Sequence, residues 1–238
     1  MMICFAKHRL GVENLVELKK AAAERAVDFV KDGMKVGLGT GSTAYWAIKR
    51  LGERIKEEGL NIQTVATSKA SEDQARELGI PLIPFAEMGR LDLTIDGADE
   101  VDGRLNLIKG GGGALLREKI VATNSRRLII VVDESKVVHT LGKFPLPVEI
   151  VPFAHEWTFQ ALDQLGCRPQ WRMNGEEKYV TDNGNYIADC LLGRISNAEA
   201  LNQKLNMIPG VVDNGLFVDL ADTVVVSHSD GSIELKKR

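Results

Sequence analysis

The chain has few cysteines, few aromatic residues and no excess of positive charge, and these shortages exclude several classes of protein. Its three cysteines, Cys4, Cys167 and Cys190, are far apart and form no C-x-x-C pair. A disulfide framework or a structural zinc site is therefore not expected, and a reducing, cytoplasmic location is favoured. A formal net charge of -3 argues against nucleic-acid binding through bulk positive charge.

Long apolar runs are also missing, since no run approaches the roughly 18 residues that a membrane-spanning helix needs. We therefore expect no membrane partner. Residues 1–11 contain a short apolar patch but no small-residue cleavage pattern, so we expect no signal peptide. The four histidines (His8, His139, His155 and His228) are scattered, and no metal site is predicted.

Apolar strand patterns alternate with amphipathic helix patterns over the first 145 residues. This alternation predicts a parallel sheet covered by helices on both faces. The expected strands are residues 34–39, 61–68, 80–85, 91–97 and 126–133, with 80–85 at a sheet edge because of its prolines. The expected helices include residues 13–31, a helix within 40–59 after a glycine-rich turn, a capped helix over 71–79 that opens with Ser71 and Glu72, and a helix within 109–124 after a glycine loop.

The pattern changes after Lys143, where prolines become frequent. Residues 146–218 predict a smaller α+β unit with antiparallel strands, and Asn183-Gly184 predicts a hairpin turn within it. Residues 219–238 supply a strand pair that we expect to rejoin the first domain. The predicted fold class is therefore α/β, with one domain formed by residues 1–145 plus 219–238 and a second, smaller domain formed by 146–218.

Glycine is abundant, with 23 residues in 238, and the first cluster is the loop GLGTGSTA over residues 37–44. A glycine turn that opens a helix attracts phosphate through free N–H groups and the helix dipole. Thr40, Ser42 and Thr43 add hydroxyl groups. The loop also fits the G-x-G-x-x-A pattern of dinucleotide sites, but the acidic residue that such a site needs is replaced by Thr-Ser-Lys at residues 67–69. A turn without a ligand remains the third interpretation.

Carboxylates follow the next predicted strand in the segment IDGADEVD, at Asp96, Asp99, Glu100 and Asp102. Ligands of open parallel sheets bind beyond the carboxyl ends of the strands. Crowded carboxylates there have raised pKa values that suit proton transfer or hydroxyl binding. The alternatives are a divalent-cation site and a solvated acidic turn, the latter above all at Asp102-Gly103.

The second glycine cluster, residues 110–113, follows Lys109 and opens a helix. Lys109 is suited to neutralising a phosphate or a developing oxyanion. The helix is apolar nearly all round, so its charges Arg117, Glu118 and Lys119 need partners. Glu118 is either a general base or a member of an ordinary ion pair with these neighbours. Lys136 follows a later strand and adds a second cation at the same edge of the sheet.

Taken together, these segments resemble type A ribose-5-phosphate isomerases. The matching stretches occur in family order over about residues 36–218: GLGTGSTA, TSKASEDQARELGIPL, IDGADEVD, LIKGGGGALLREKI, DESK, GKFPLPVEIVP, VTDNGN and IPGVVDNGLF. The resemblance implies a Rossmann-like domain with a smaller α+β domain, no cofactor and a homodimer or homotetramer. It implies interconversion of ribose 5-phosphate and ribulose 5-phosphate in the non-oxidative pentose phosphate pathway.

The resemblance also carries roles to individual residues. It implies that Glu118 is the catalytic base, and we expect Asp96, Asp99 and Lys109 to assist it. The implied substrate-binding residues are Thr40, Gly41, Ser42, Thr43, Asp96, Gly97, Ala98, Asp99, Lys109, Gly110, Gly111, Gly112 and Lys136. No metal ligand is implied, and residues 1–12 receive no role.

Three competing functions are less consistent with the sequence. A glucosamine-6-phosphate deaminase uses a similar phosphate turn but needs a catalytic histidine, and none lies in the three loops. A sugar-phosphate sensor needs a DNA-binding module, whereas the roughly 35 residues before the first strand form one helix without helix-turn-helix form. A nicotinamide-dependent oxidoreductase lacks the ribose-binding acid.

Overall fold

The computed structural model describes the backbone of residues 2–238 and the side chains from Asn14 onward. The predictions for Cys4, for His8 and for the side chains of residues 1–11 lie outside the described residues. Among the described residues, no helix combines the length and the apolar character needed to cross a bilayer.

Helices and strands alternate along most of the chain. The α-helices are α1 (Met2–Val27), α2 (Ala44–Glu58), α3 (Lys69–Glu77), α4 (Phe85–Met88), α5 (Leu115–Thr123), α6 (His155–Gln164) and α7 (Ala198–Asn206). A short 3-10 helix spans Glu134–Lys136. The strands are β1 (Lys35–Leu38), β2 (Gln63–Ala66), β3 (Leu93–Gly97), β4 (Glu100–Val101), β5 (Leu107–Ile108), β6 (Leu128–Asp133), β7 (Leu146–Ile150), β8 (Pro169–Trp171), β9 (Met173–Asn174), β10 (Glu177–Lys178), β11 (Tyr186–Cys190), β12 (Val211–Asn214), β13 (Leu216–Phe217), β14 (Thr223–Ser227) and β15 (Ile233–Lys237).

The main sheet has six strands in the order β15-β14-β6-β3-β1-β2. All neighbours run parallel except β15, which pairs antiparallel with β14. The central strand β6 is buried along its whole length, as its continuous apolar run predicts. The terminal strand pair returns to this sheet, which confirms that prediction and the α/β fold class.

Both faces of the main sheet are covered. On one face, α1, α2 and α3 pack apolar side chains against β1, β3 and β6. On the other face, Val121 of α5 packs with Val65 of β2 and Met88 of α4. This two-sided burial explains why the central strands are apolar without alternation.

Three local predictions are corrected by the structure. Residues 80–85 form no strand: only a single bridge joins Leu82 to Thr64, because the prolines at 81 and 84 have no N–H to donate to a ladder. The next helix begins at Lys69 and is capped by Ser68, whose side chain accepts from the N–H of Ser71, so Ser71 is not the cap. The first helix ends at Val27 rather than at residue 31.

The segment after Lys143 forms a four-stranded antiparallel sheet in the order β12-β7-β11-β8. Helices α6 and α7 pack on it around a second apolar cluster that includes Leu162, Cys190 and Leu205. The predicted Asn183-Gly184 turn is present, although only one bridge, Val180 to Tyr186, flanks it. The small sheet β13-β5-β4 combines two strands that follow β3 with one that follows β12, and it pairs Phe217 with Leu107.

Candidate active site

The predicted loops converge at one small cavity beyond the carboxyl ends of β1 and β3. The cavity has a volume of about 100 Å³. Its lining residues are Lys19, Thr40, Gly41, Ser42, Thr43, Gly97, Ala98, Asp99, Lys109, Gly110, Gly111, Gly112, Glu118 and Lys136. Every predicted site residue except Asp96 therefore lies on its wall, and Asp96 contacts that wall through Lys109.

The first glycine loop and the acidic turn are packed directly against each other. A Cβ at Gly39 would lie 2.5 Å from the Cα of Asp96, so only glycine allows the two backbones to approach this closely. The N–H of Thr40 donates to Asp96 Oδ1 at 3.0 Å. The hydroxyl of Thr40 lies 2.7 Å from that of Thr67 and donates to that of Ser68 at 2.8 Å. Thr67 and Ser68, which make these contacts, stand at the position where a dinucleotide site would carry an acidic residue.

Three charged side chains are buried together at the base of the cavity. The ammonium of Lys109 lies 3.1 Å from Asp96 Oδ2 and 3.3 Å from Glu118 Oε1, and it donates to the carbonyl of Gly97 at 2.6 Å. All three side chains are almost fully buried. The second carboxylate oxygen of Glu118, Oε2, is buried without a hydrogen-bond partner among the described residues. Glu118 therefore has one oxygen held by Lys109 and one oxygen free to accept a proton.

The electrostatics of this cluster favour a proton on Glu118. Burial raises the pKa of Glu118 to about 8, because the loss of water outweighs the stabilising charge of Lys109, and the neighbouring carboxylate of Asp96 adds to the rise. Burial also raises the pKa of Asp96, although Lys109 opposes it. For Lys109, burial alone would favour the neutral amine, but the two carboxylates outweigh burial and raise its pKa.

The other carboxylates of the acidic turn have different partners. Asp99 lines the cavity and accepts the N–H of Gly111 at 2.7 Å, which ties the acidic turn to the second glycine loop. Glu100 is buried away from the cavity and accepts two backbone N–H groups, from Gly142 and Phe144. Asp102 accepts the N–H groups of its own turn, which confirms the surface-turn interpretation there.

Lys19 also lines the cavity, although its sequence context does not predict it as a site residue. It lies on α1, lines the cavity and donates from Nζ to the hydroxyl of Ser42 at 2.9 Å. A lysine on an amphipathic helix is usually a solvated surface residue, and nothing in the sequence near Lys19 connects it to the glycine loop. Only the packing of α1 against α2 brings it to the site.

The charged neighbours of Glu118 find their partners in the second half of the chain. Arg117 donates to Asn183 Oδ1 at 2.8 Å and to the carbonyl of Asp182 at 2.8 Å. Lys119 donates to Asp213 Oδ1 at 2.6 Å. Glu118 therefore pairs with neither neighbour, and the expectation that the charges of this helix need partners is confirmed.

A larger cavity, of about 590 Å³, lies elsewhere and contains none of the predicted site residues. Its lining includes Asp102, His139, Arg194 and Asp219. Within the described part of the chain, no three His, Cys, Asp or Glu side chains are grouped as metal ligands. Cys167 and Cys190 are buried free thiols.

Comparison with known proteins identifies the family. The family model of ribose 5-phosphate isomerase A (phosphoriboisomerase A) matches residues 63–231, more than half of the chain. The chain belongs to the ribose 5-phosphate isomerase A family. This finding confirms the resemblance and the enzyme class that it implied.

Relatives in the ribose 5-phosphate isomerase A family match nearly the whole chain. It is 57% identical to ribose-5-phosphate isomerase A of Bacillus thuringiensis subsp. konkukian, over 92% of this chain and 100% of the relative. It is 52% identical to ribose-5-phosphate isomerase A 1 of Oceanobacillus iheyensis, over 90% of this chain and 96% of the relative.

Solved structures of the same family share the fold. The ribose 5-phosphate isomerase of Plasmodium falciparum superposes with a TM-score of 0.91 at 39% identity, covering 94% of this chain and 99% of that one. A D-ribose-5-phosphate isomerase in complex with phospho-erythronic acid gives a TM-score of 0.90 at 40% identity, covering 93% and 98%. The α/β architecture described above is therefore the family fold.

Proposed function

We propose that this protein interconverts D-ribose 5-phosphate and D-ribulose 5-phosphate through an enediolate, with Glu118 as the general base. The observation that carries the proposal is the unpartnered, buried oxygen of Glu118 on the wall of a cavity built from two glycine loops. The names of the relatives supply ribose 5-phosphate and isomerisation, and the phospho-erythronic acid bound to a solved relative is itself a four-carbon acid phosphate.

In the proposed mechanism, Glu118 removes the proton from C2 of the open-chain aldose and returns it to C1. The negative charge that develops on the substrate oxygens needs a fixed positive group in a site that excludes water. Lys109 is held within 3.3 Å of Glu118 and supplies that charge. The unpaired proton acceptor and the cation are therefore side by side where the reacting carbons bind.

Asp99 is the carboxylate proposed to assist ring opening and to move protons among the sugar hydroxyls. It lines the cavity, whereas Asp96 is behind the wall and has its oxygens directed to Thr40 N–H, Gly97 N–H and Lys109. The role we propose for Asp96 is to hold Lys109 in place beside Glu118.

The phosphate group is proposed to bind at the opposite end of the cavity, where α2 begins. The free N–H groups of a helix N-terminus favour an anion, and Ser42 and Thr43 stand just before Ala44, the first residue of α2. Lys19 reaches Ser42, and Lys136 lines the same cavity. Because Lys109 is the cation proposed for the developing oxyanion, Lys19 and Lys136 are the cations proposed for the phosphate.

We also propose a cellular location, a pathway, a domain division and an oligomeric state for the enzyme. We place the enzyme in the cytoplasm, in the non-oxidative pentose phosphate pathway, and we keep the division into domains 1–145 plus 219–238 and 146–218. We also propose a homodimer or homotetramer. Support for self-association comes from Phe153, just before α6, and Trp157, in its first turn, which are 88% and 77% exposed.

The direct test is incubation of the purified protein with ribose 5-phosphate and detection of the ketose, with and without a metal chelator. The proposal expects ribulose 5-phosphate to form at the same rate in both samples. Absence of ketose from correctly folded protein would refute the activity. Loss of activity on chelation, with recovery on adding one divalent ion, would place a cation among the aspartates instead.

A further inference from the structure

Arg172 follows β8 in the antiparallel sheet and is held there by a two-pronged ion pair. Its Nε lies 3.0 Å from Asp189 Oδ2, and its Nη2 lies 2.6 Å from Asp189 Oδ1. A paired geometry of this kind fixes the plane of a guanidinium as well as its position. Asp189 lies on β11, at the centre of that sheet, so the group that anchors Arg172 is itself held by paired strands on both sides.

The remaining nitrogen of this guanidinium reaches across to the second glycine loop. Nη1 of Arg172 donates to the carbonyl of Gly110 at 2.7 Å and to the carbonyl of Gly111 at 3.2 Å. Both glycines line the cavity that contains Glu118. One side chain of the antiparallel sheet therefore holds two successive carbonyl groups of the binding loop.

Holding those carbonyls fixes the direction of the next two N–H groups, because a trans peptide is planar and its C=O and N–H point to opposite sides. The carbonyl of Gly110 faces Arg172, and the N–H of Gly111 on the same peptide faces Asp99, at 2.7 Å from Oδ2. The carbonyl of Gly111 also faces Arg172, so the N–H of Gly112 is turned away from it. That N–H has no hydrogen-bond partner among the described residues.

Glycines have the most permissive backbone in the chain, and within the loop itself a single backbone hydrogen bond, from the N–H of Gly113 to the carbonyl of Gly110 at 2.9 Å, restrains these carbonyls. The loop is also confined from two sides. A Cβ at Gly111 would lie 2.5 Å from Asp99 Oδ1, and a Cβ at Gly113 would lie 2.3 Å from the hydroxyl of Tyr179. Arg172 supplies the only charged contact from the antiparallel sheet to the carbonyls of this loop among the described residues.

We propose that Arg172 is a positioning residue for the isomerisation: it turns the peptides of residues 110–112 so that their N–H groups face Asp99 and the substrate. Arg172 does not line the cavity and does not act on the substrate itself. The inference rests on the proposed function, because the N–H groups matter for rate only if the loop binds the sugar phosphate. It assigns the antiparallel sheet a part in assembling the site.

The test compares Arg172→Ala and Arg172→Lys with Arg194→Ala, an exposed arginine of the same half of the chain, as the matched control. Each protein is assayed with ribose 5-phosphate, with and without added guanidinium at a concentration that leaves the unsubstituted enzyme folded. Hydrogen exchange at the Gly111 amide reports the loop orientation without any substrate.

The expected result for Arg172→Ala is a fall in kcat/KM of about tenfold to a hundredfold, as for other small misplacements of binding groups. Guanidinium restores part of this loss, and the Gly111 amide exchanges faster than in the unsubstituted enzyme. Arg172→Lys keeps the charge but cannot contact Asp189 and both carbonyls at once, so we expect an intermediate loss of kcat/KM. This variant replaces Arg172→Ala in the comparison if Arg172→Ala does not fold. Arg194→Ala is unaffected by guanidinium.

Two results would overturn the inference. One is a kcat/KM for Arg172→Ala within about twofold of the unsubstituted enzyme. The other is a loss that follows the folded fraction alone, with no recovery in guanidinium and unchanged exchange at Gly111. If the unsubstituted protein itself forms no ketose, the proposed function fails, while the exchange of the Gly111 amide still decides whether Arg172 orients the loop.

Discussion

Arg117, Glu118 and Lys119 are adjacent charged residues on one short helix, and each has different partners. Arg117 reaches the turn at Asp182 and Asn183, and Lys119 reaches Asp213 of β12, whereas Glu118 faces Lys109 in the cavity. The sequence identified all three as charges in need of partners but left a general base and an ordinary ion pair equally open for Glu118. The observation that favours the proposed general base is the buried oxygen of Glu118 that has no hydrogen-bond partner among the described residues, which no local sequence pattern encodes.

The raised pKa of Glu118 predicts how activity changes with pH. A general base must be unprotonated in the free enzyme, and burial raises the pKa of this carboxyl to about 8. We therefore expect kcat/KM to rise by about tenfold per pH unit between pH 6 and 7.5 and to level off above pH 8. The measurement is a pH profile of kcat/KM for ribose 5-phosphate, and a flat profile from pH 6 to 9 would contradict the assignment.

At the scale of elements, strands and helices with strong patterns could be predicted, and segments decided by tertiary contacts could not. The apolar run at 128–133 predicted a buried central strand, and the structure has one. Residues 80–85 look like a strand by composition but form only a single bridge, because their prolines lack the N–H donors that a ladder requires.

The cavity loops were predicted residue by residue, since glycines and carboxylates at strand ends are local signals. Lys19 was missed because it reaches the site only through helix packing.

The close approach of β1 and β3 gives a prediction about Gly39. A Cβ at Gly39 would meet the side chain and backbone of Asp96, so Gly39→Ala must push the two segments apart. We expect the variant to lose about 1–3 kcal/mol of unfolding free energy through overpacking, together with most of its isomerase activity. Denaturant unfolding and the ketose assay measure the two effects.

Gly103→Ala is the control for this experiment, because nothing lies within 4 Å of a Cβ at Gly103 and its backbone lies outside the left-handed region. It should change neither stability nor turnover. Equal behaviour of Gly39→Ala and Gly103→Ala would show that the contact between the first glycine loop and Asp96 is not required.

At the scale of the whole molecule, the active site combines parts from both sheets. The six-stranded sheet places the first glycine loop and the acidic turn. The segment after Lys143 holds α5 through Arg117 and Lys119, and it holds the second glycine loop through Arg172. The α/β class and the return of the last strands to the first sheet could be predicted from the alternation of patterns. The division into two domains stays a prediction, because β13 pairs directly with β5 across the proposed boundary.

The buried carboxyl of Glu118 also predicts how the stability of the whole fold depends on pH. Its folded pKa of about 8 exceeds its ordinary value of 4.5, so its contribution to stability is fully present below about pH 4.5 and is lost as the pH rises through 8. Glu118→Gln mimics the protonated form at every pH. We therefore expect the variant to gain stability relative to the unsubstituted enzyme as the pH rises. Its free energy of unfolding minus that of the unsubstituted enzyme should be larger at pH 9 than at pH 5.

Denaturant unfolding of both proteins at the two pH values provides this comparison. Lys109 lies beside both Glu118 and Asp96, so the difference between the two proteins reports the titration of this buried cluster with and without the Glu118 carboxyl. A difference that is the same at pH 5 and pH 9 would mean that the folded protein does not shift this pKa.

The turnover of Glu118→Gln tests the central claim most directly. Gln keeps the size of the side chain but cannot accept the C2 proton, and loss of one well-placed general base costs about 10² to 10⁴ in rate. We expect kcat for ribose 5-phosphate to fall by that factor while the protein stays folded and KM changes little. A folded Glu118→Gln enzyme that turns over ribose 5-phosphate as fast as the unsubstituted enzyme would contradict it.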